Sequence, residues 1–180
     1  MPRLFVAVWP PAEVLDLIEA LPRPERPGVR WTRRDQWHVT LRFLGSSVED
    51  AAPVAAALQG MEAGVVPVEA VLGPAVVRLG RGVVCVDVAG LDAVAAAVVE
   101  ATAGFGQPPD DRPFHGHLTL ARLKGVGTGG LLGAEVAARW PVEEVHLVES
   151  RLHAEGARYE SVAVVPLSPG SGSGQAAPSA

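Results

Sequence analysis

The sequence predicts an α+β fold, bilobal, with two largely antiparallel sheets, flanking helices and pseudo-twofold symmetry around a central groove. Three observations carry that reading. Short β-branched runs recur at hairpin spacing beside single helical segments, the pattern of antiparallel sheets rather than of a doubly wound parallel sheet. A His-x-Thr-Leu motif occurs twice, in "QWHVTLRFLG" (36–45) and in "GHLTLARLKG" (116–125), each copy trailed by an arginine and a glycine. With 48% of its 180 residues apolar and 19% charged, the chain can bury a sizeable core.

Each element follows from local chemistry. "LFVAVW" (4–9) is an apolar and aromatic run stopped by Pro10 and Pro11, as a buried strand would be. Pro11 suits the first turn of a helix in "AEVLDLIEAL", where Val14, Leu17, Ile18 and Leu21 fall at helical spacing. "PRPERPG" (22–28) is a loop, because its prolines exclude both a helix and a central strand. "VRWTRRDQ" leads into the first motif strand. In "SSVEDAAPVAAALQGM" (46–61), serines suited to capping, acids in the first turn and an Ala-rich body predict a helix. "VPVEAVL", "AVVRL" and "GVVCVDV" read as three strands of a meander. "LDAVAAAVVEATAGFG" (91–106) returns to helical period, and "QPPDDRPF" delivers the chain to the second motif. "LLGAEVAARW" (131–140) predicts a further helix, and "VEEVHLVESRL" and "YESVAVVPL" a closing strand pair around the turn "HAEGAR". Residues 1–167 therefore read as one bilobal domain, and the Pro/Gly/Ser/Ala tail 168–180 as disordered.

Composition narrows the function. A net charge of −5 argues against non-specific coating of nucleic acid, which needs many phosphate-neutralising cations. The cations nevertheless gather at the motifs: Arg30, Arg33, Arg34 and Arg42 around the first, Arg112, Arg122 and Lys124 around the second. A basic focus on an acidic protein suits a small anion or a strand end. No run approaches the roughly 20 apolar residues that span a bilayer, and the apolar stretch before Pro10 is too short for a signal peptide, so the expected location is cytoplasmic, away from membranes. Cys85, the only cysteine, sits in an apolar run and reads as a buried thiol.

On an extended strand, alternation places His38, Thr40 and Arg42 on one side and Val39, Leu41 and Phe43 on the other. It also places His117 with Thr119 but sends Arg122 to the opposite face unless a bulge turns it back. Two imidazoles across a groove suit phosphoester cleavage, one neutral as base and one charged as acid. Hydroxyls two residues away can donate to non-bridging oxygens, and an arginine can stabilise the charge of the transition state.

The paired motifs, the lead-in "VRWTRRDQWHVTLRFLG", the phrase "RPFHGHLTLAR" and the ending "ESRLHAEGARYESVAVVPL" resemble the RNA 2′,3′-cyclic phosphodiesterases. These belong to the two-histidine phosphoesterase superfamily of LigT-like, 2′-5′ RNA ligase-like proteins, and the likeness covers roughly residues 3–167. The resemblance implies His38 as general acid, His117 as general base, Thr40 and Thr119 as phosphate-binding hydroxyls and Arg122 as a substrate-binding cation. It implies hydrolysis of cyclic phosphates on RNA ends or nucleotides to 2′-phosphates, with no metal and no cofactor; the expected state is a monomer. The alternatives are a nucleotide- or RNA-end-binding module without turnover, and 2′-5′ RNA ligation as the reverse reaction.

Other residues have plainer readings beside functional ones. His115 shares a face with His117 and invites a metal site completed by His38, but lacks supporting ligands nearby. His146 and His153 read as a strand and a turn residue. Trp31, Trp37, Phe43 and Phe114 read as core, with one or two available to stack on a base. Arg33 and Arg34 fit a solvated face as well as phosphate contact, and Arg151 and Tyr159 fit structural roles.

Overall fold

The computed structural model describes residues 3–61, 66–124, 131–153 and 156–167. The expected tail from 168 onward lies outside them, as do parts of the turn "HAEGAR" and the glycine that ends the second motif. The order is β1 (Arg3–Val8), α1 (Ala12–Glu19), β2 (Val29–Trp31), a 3₁₀ turn (Arg34–Gln36), β3 (Val39–Gly45), α2 (Ala52–Gln59), β4 (Val68–Leu79), β5 (Val83–Ala89) and α3 (Asp92–Ala101). It closes with β6 (His117–Leu123), β7 (Ala138–Val142), β8 (Glu144–His153) and β9 (Gly156–Pro166).

All strand pairs are antiparallel, in the order β7-β4-β5-β6-β3-β1-β8-β9, with β2 added beside β6. The fold is the expected α+β one with two related halves, but the two expected sheets run together as one nine-stranded sheet, and in each half the motif strand lies innermost and three strands fan outward. The halves meet at β3 and β6, where Val39 and Leu118 are the registered partners, so hydrogen bonding runs on from one lobe into the other. One face of the sheet packs on the helices through the main core, which includes Val6, Ile18, Leu44, Leu58, Val94 and Leu118. A smaller cluster of Phe5, Ala7 and Val148, with Trp9 and Tyr159 against it, occupies the other face. The run at 4–9 is thus apolar throughout because its strand is covered on both sides.

Several local expectations change. Residues 131–140 form no helix: Gly133 adopts φ +83°, and the chain then lies along β4 through Val76 N–H to Ala134 O (2.9 Å) and Val136 N–H to Pro74 O (3.0 Å). It ends in edge strand β7, whose outer side tolerates Pro141. The first two runs of the expected meander are one twelve-residue strand, β4, with a register shift between Leu72 and Val76 in place of a turn. Asp50, not a serine, supports the start of α2, its Oδ1 accepting from Ala52 N–H at 2.9 Å.

The motif strands share one irregularity. Against β1 the partners pass from Ala7↔Thr40 to Val6↔Arg42, skipping Leu41; against β5 they pass from Cys85↔Thr119 to Val84↔Ala121, skipping Leu120. Each bulge falls three residues after the histidine and inverts the alternation beyond it. The segments His38–Leu44 and His117–Leu123 consequently show the same succession of half-buried, buried, half-buried, buried, buried, exposed, buried. Position 43 and position 122 emerge on the histidine side. Arg42 does not: it turns beneath α3, 4% exposed, contrary to its expected place beside His38 and Thr40.

There its guanidinium donates to the carbonyl oxygens of Val99 (2.8 Å), Phe105 (3.1 Å) and Gln107 (3.3 Å) and to the Thr102 hydroxyl (2.7 Å). Arg42→Met removes a charged donor from four acceptors at once and is expected to lower unfolding free energy by about 3 kcal/mol or more. Urea denaturation measures it, and wild-type stability in the variant would show that the acceptors do not depend on Arg42.

Candidate active site

Both histidines stand where a motif strand begins. Gly116 seats the second: a Cβ there would lie 2.3 Å from the Val88 carbonyl oxygen, while Val88 N–H donates to Gly116 O at 2.8 Å. The two rings are fixed alike. His38 Nδ1 lies 2.7 Å from Gln36 O and His117 Nδ1 lies 2.9 Å from His115 O, each a carbonyl two residues upstream. A carbonyl only accepts, so Nδ1 carries the proton in both rings and Nε2 is left for proton transfer.

The surroundings of the two rings differ. His38 sits among Phe5 (4.9 Å between centroids), Tyr159 (5.1 Å) and Trp9 (5.4 Å). Burial in this cage pushes its pKa down to about 4, helped by the charges of His117 and Arg122 and opposed by the bond to Gln36. His38 is neutral at pH 7. His117 has one ring neighbour among the described residues, His115 at 5.8 Å.

His38, Thr40, His117, Thr119 and Arg122 line one groove of about 600 Å³. The bulge at Leu120 is what brings Arg122 there, and Thr32 braces it, with Oγ1 2.8 Å from the carbonyl oxygens of both Thr119 and Leu120. Phe43 occupies the matching position on the other half and also lines the groove. Among the described residues that line it there is no carboxylate, whereas Arg3, Arg30, Arg122 and three histidines do. A basic groove in an acidic protein is the arrangement for an anionic ligand.

Other candidates disperse. Arg34 pairs with Asp16 and Glu19 of α1 (2.7 Å each), and Arg112 with Asp110. His115 Nε2 lies 3.1 Å from Asp87, and among the described residues no group of three His, Cys, Asp or Glu is placed to hold a metal. Cys85 is buried, its pKa pushed up to about 11. Trp37 is core, its indole N–H donating to Thr32 Oγ1 at 2.9 Å. Arg151 pairs with Glu149. Tyr159 and His153, read as structural and as a turn residue, line the groove, and Trp31 joins them. Phe5 and Trp9 were not distinguishable from core in a run that is apolar at every position. No helix of the described residues is long and apolar enough to cross a membrane.

Paired histidines at equivalent places in a curled antiparallel sheet, each with a threonine two residues on, define a two-histidine phosphoesterase. The family model described as the 2′-5′ RNA ligase superfamily matches residues 8–154, and the chain belongs to that family as a LigT-like member. The structure is similar to that of TT0787 of Thermus thermophilus (TM-score 0.80, 27% identity, covering 93% of this chain and 98% of that one). It is also similar to Escherichia coli LigT complexed with 3′-AMP (TM-score 0.72, 26% identity, 93% and 99% covered). The MHV ns2 PDE domain shares the fold at TM-score 0.54 and 17% identity, over 83% of this chain and 99% of that one. No curated protein matches the chain.

The His38 cage sets a pH dependence of stability. Its folded pKa of about 4 lies below the unfolded value of about 6.5, so on acidification the unfolded chain takes the proton first. The contribution is complete above pH 6.5 and falls by about 3 kcal/mol as pH drops to 4. Denaturation curves of wild type and His38→Gln should diverge across that window and run parallel above it. Parallel curves throughout would show that His38 is solvated.

Proposed function

We propose that the chain hydrolyses 2′,3′-cyclic phosphates on RNA ends or nucleotides to 2′-phosphates, without a metal. The observation that carries this reading is the pair of Nδ1-anchored histidines sharing one basic groove that no described carboxylate lines. A groove whose described lining carries cations and no carboxylate suits a phosphodiester anion, and two imidazoles in one groove suit attack on one side of phosphorus with departure from the other. His117 Nε2 accepts a proton from water, whose oxygen attacks phosphorus. The P–O3′ bond breaks, and His38 Nε2 gives its proton to O3′. Thr40 and Thr119 donate to the non-bridging oxygens, and Arg122 neutralises the added charge. Because burial keeps His38 neutral in the free protein, its Nε2 must take up a proton from solvent as the substrate binds, the negative charge of the phosphodiester favouring the imidazolium. The similar structure of Escherichia coli LigT is complexed with 3′-AMP, which supports a ribose monophosphate as ligand of this fold.

Incubation with an oligonucleotide ending in a 2′,3′-cyclic phosphate, in EDTA, tests the reading. The expected product carries a 2′-phosphate and resists a 3′-specific phosphatase; a 3′-phosphate would reverse the orientation of the sugar, and a joined 2′-5′ product would favour ligation. His38→Ala and His117→Ala should each lower kcat at least about 100-fold. Wild-type rates in both would remove the two-histidine mechanism, and binding without turnover in the wild type would leave a binding module. Arg122→Ala should lower kcat/KM strongly, with Arg122→Lys restoring only part of it if the guanidinium fork grips two oxygens. Titration of a 2′-phosphate nucleotide in buffers of different ionisation enthalpy near pH 7 should show proton uptake. Its absence would favour His38 as the base.

A further inference from the structure

Cleavage of one cyclic phosphate leaves Arg30 without a task. Arg30 on β2 is the registered partner of Arg122 on β6; both side chains are exposed, and both line the groove. Directly opposed like charges in an antiparallel pair, with Cβ atoms about 5 Å apart, destabilise the free protein. Several other arginines are matched with acids, as in Arg34 with Asp16 and Glu19, or Arg139 with Glu69. Among the described residues no carboxylate forms an ion pair with Arg30 or Arg122.

The two guanidinium groups are not equivalent. Arg122 acts electrostatically on both His38 and the Tyr159 hydroxyl, whereas Arg30 acts on Tyr159. Arg30, registered opposite Arg122 and so five residues along β6 from His117, stands at the far end of that strand, where its Nη2 lies beside Gly156 at the start of β9. Its position there is open because residue 156 is glycine: a Cβ at Gly156 would come within 2.7 Å of Arg30 Nη2. Trp31 and Leu152, the latter 71% exposed, line the same end and offer apolar surface beside the cation.

We infer that Arg30, next to Arg122, forms a second phosphate subsite that takes the internal phosphodiester preceding the terminal cyclic phosphate, so that the substrate is an oligonucleotide end rather than a free nucleotide. The inference rests on the phosphodiesterase reading and names its substrate class. An internal phosphodiester keeps its charge through the reaction, so Arg30 contributes to binding of the longer substrate and not to the chemistry at the terminal phosphorus.

Calorimetric binding of a mononucleotide 2′-phosphate and of a dinucleotide ending in a 2′-phosphate tests it. Wild type should prefer the dinucleotide about tenfold or more, the worth of a charge-assisted hydrogen bond. Arg30→Ala should bring that ratio near one and reduce the salt slope for the dinucleotide by about 0.7, with Arg30→Lys restoring part of each. A dinucleotide with an uncharged methylphosphonate link should bind wild type as weakly as the ordinary one binds Arg30→Ala. The melting temperature of free Arg30→Ala should not fall, since an opposed charge is removed. Equal loss for both ligands, or no wild-type preference, would overturn the subsite. Failure to turn over cyclic phosphates of either length would instead overturn the phosphodiesterase reading, and the binding ratios would still decide the role of Arg30.

Discussion

The groove depends on one backbone irregularity used twice. A strand that alternated regularly from His38 or His117 would carry its sixth residue to the core face, and Arg122 would be buried among aliphatic side chains. The bulges at Leu41 and Leu120 add one residue each and return positions 43 and 122 to the side of the histidines. The same shift sends positions 42 and 121 inward, and the two halves meet that demand differently. Ala121 fits the core as it is, whereas Arg42 needs four acceptors gathered from α3 and the loop after it. One half of the molecule solves with a small side chain what the other solves with a polar network.

Much of this was legible in the residues. The repeated His-x-Thr-Leu identified the motif strands, and the odd offset of Arg122 signalled that a bulge was required if it was to reach the groove. What the period-two pattern could not reveal was that the first motif carries the same bulge, because there the regular reading looked self-consistent: it put an arginine beside the histidine and a phenylalanine in the core. Composition at 131–140 misled for another reason. Alanine and leucine favour a helix in isolation, but that segment lies beside β4, and pairing with an otherwise open strand outweighs propensities of a few tenths of a kcal/mol per residue.

The aromatic cage was illegible for a topological reason. Phe5, Trp9 and Tyr159 come from opposite ends of the chain and meet only because β8 pairs with both β1 and β9. In sequence, the run at 4–9 carries no alternation to mark which residues face the helices and which face His38. A strand covered on both sides erases the signal by which its functional face could be found.

The two halves are alike in backbone and unlike in chemistry, and the difference gives the groove a direction. At equivalent strand positions one half presents Phe43 and the other Arg122; one histidine stands in an aromatic cage, while the ring beside the other is a second histidine. A symmetric groove would bind a cyclic phosphate in either of two orientations and cleave either ester bond. The aromatic cage lowers the proton affinity of His38, so in the proposed reaction exchanging the roles of the two rings would place the imidazolium in a different environment and change the barrier. In the proposed reaction, the unlike residues around the two histidines are what allows a single bond to be chosen.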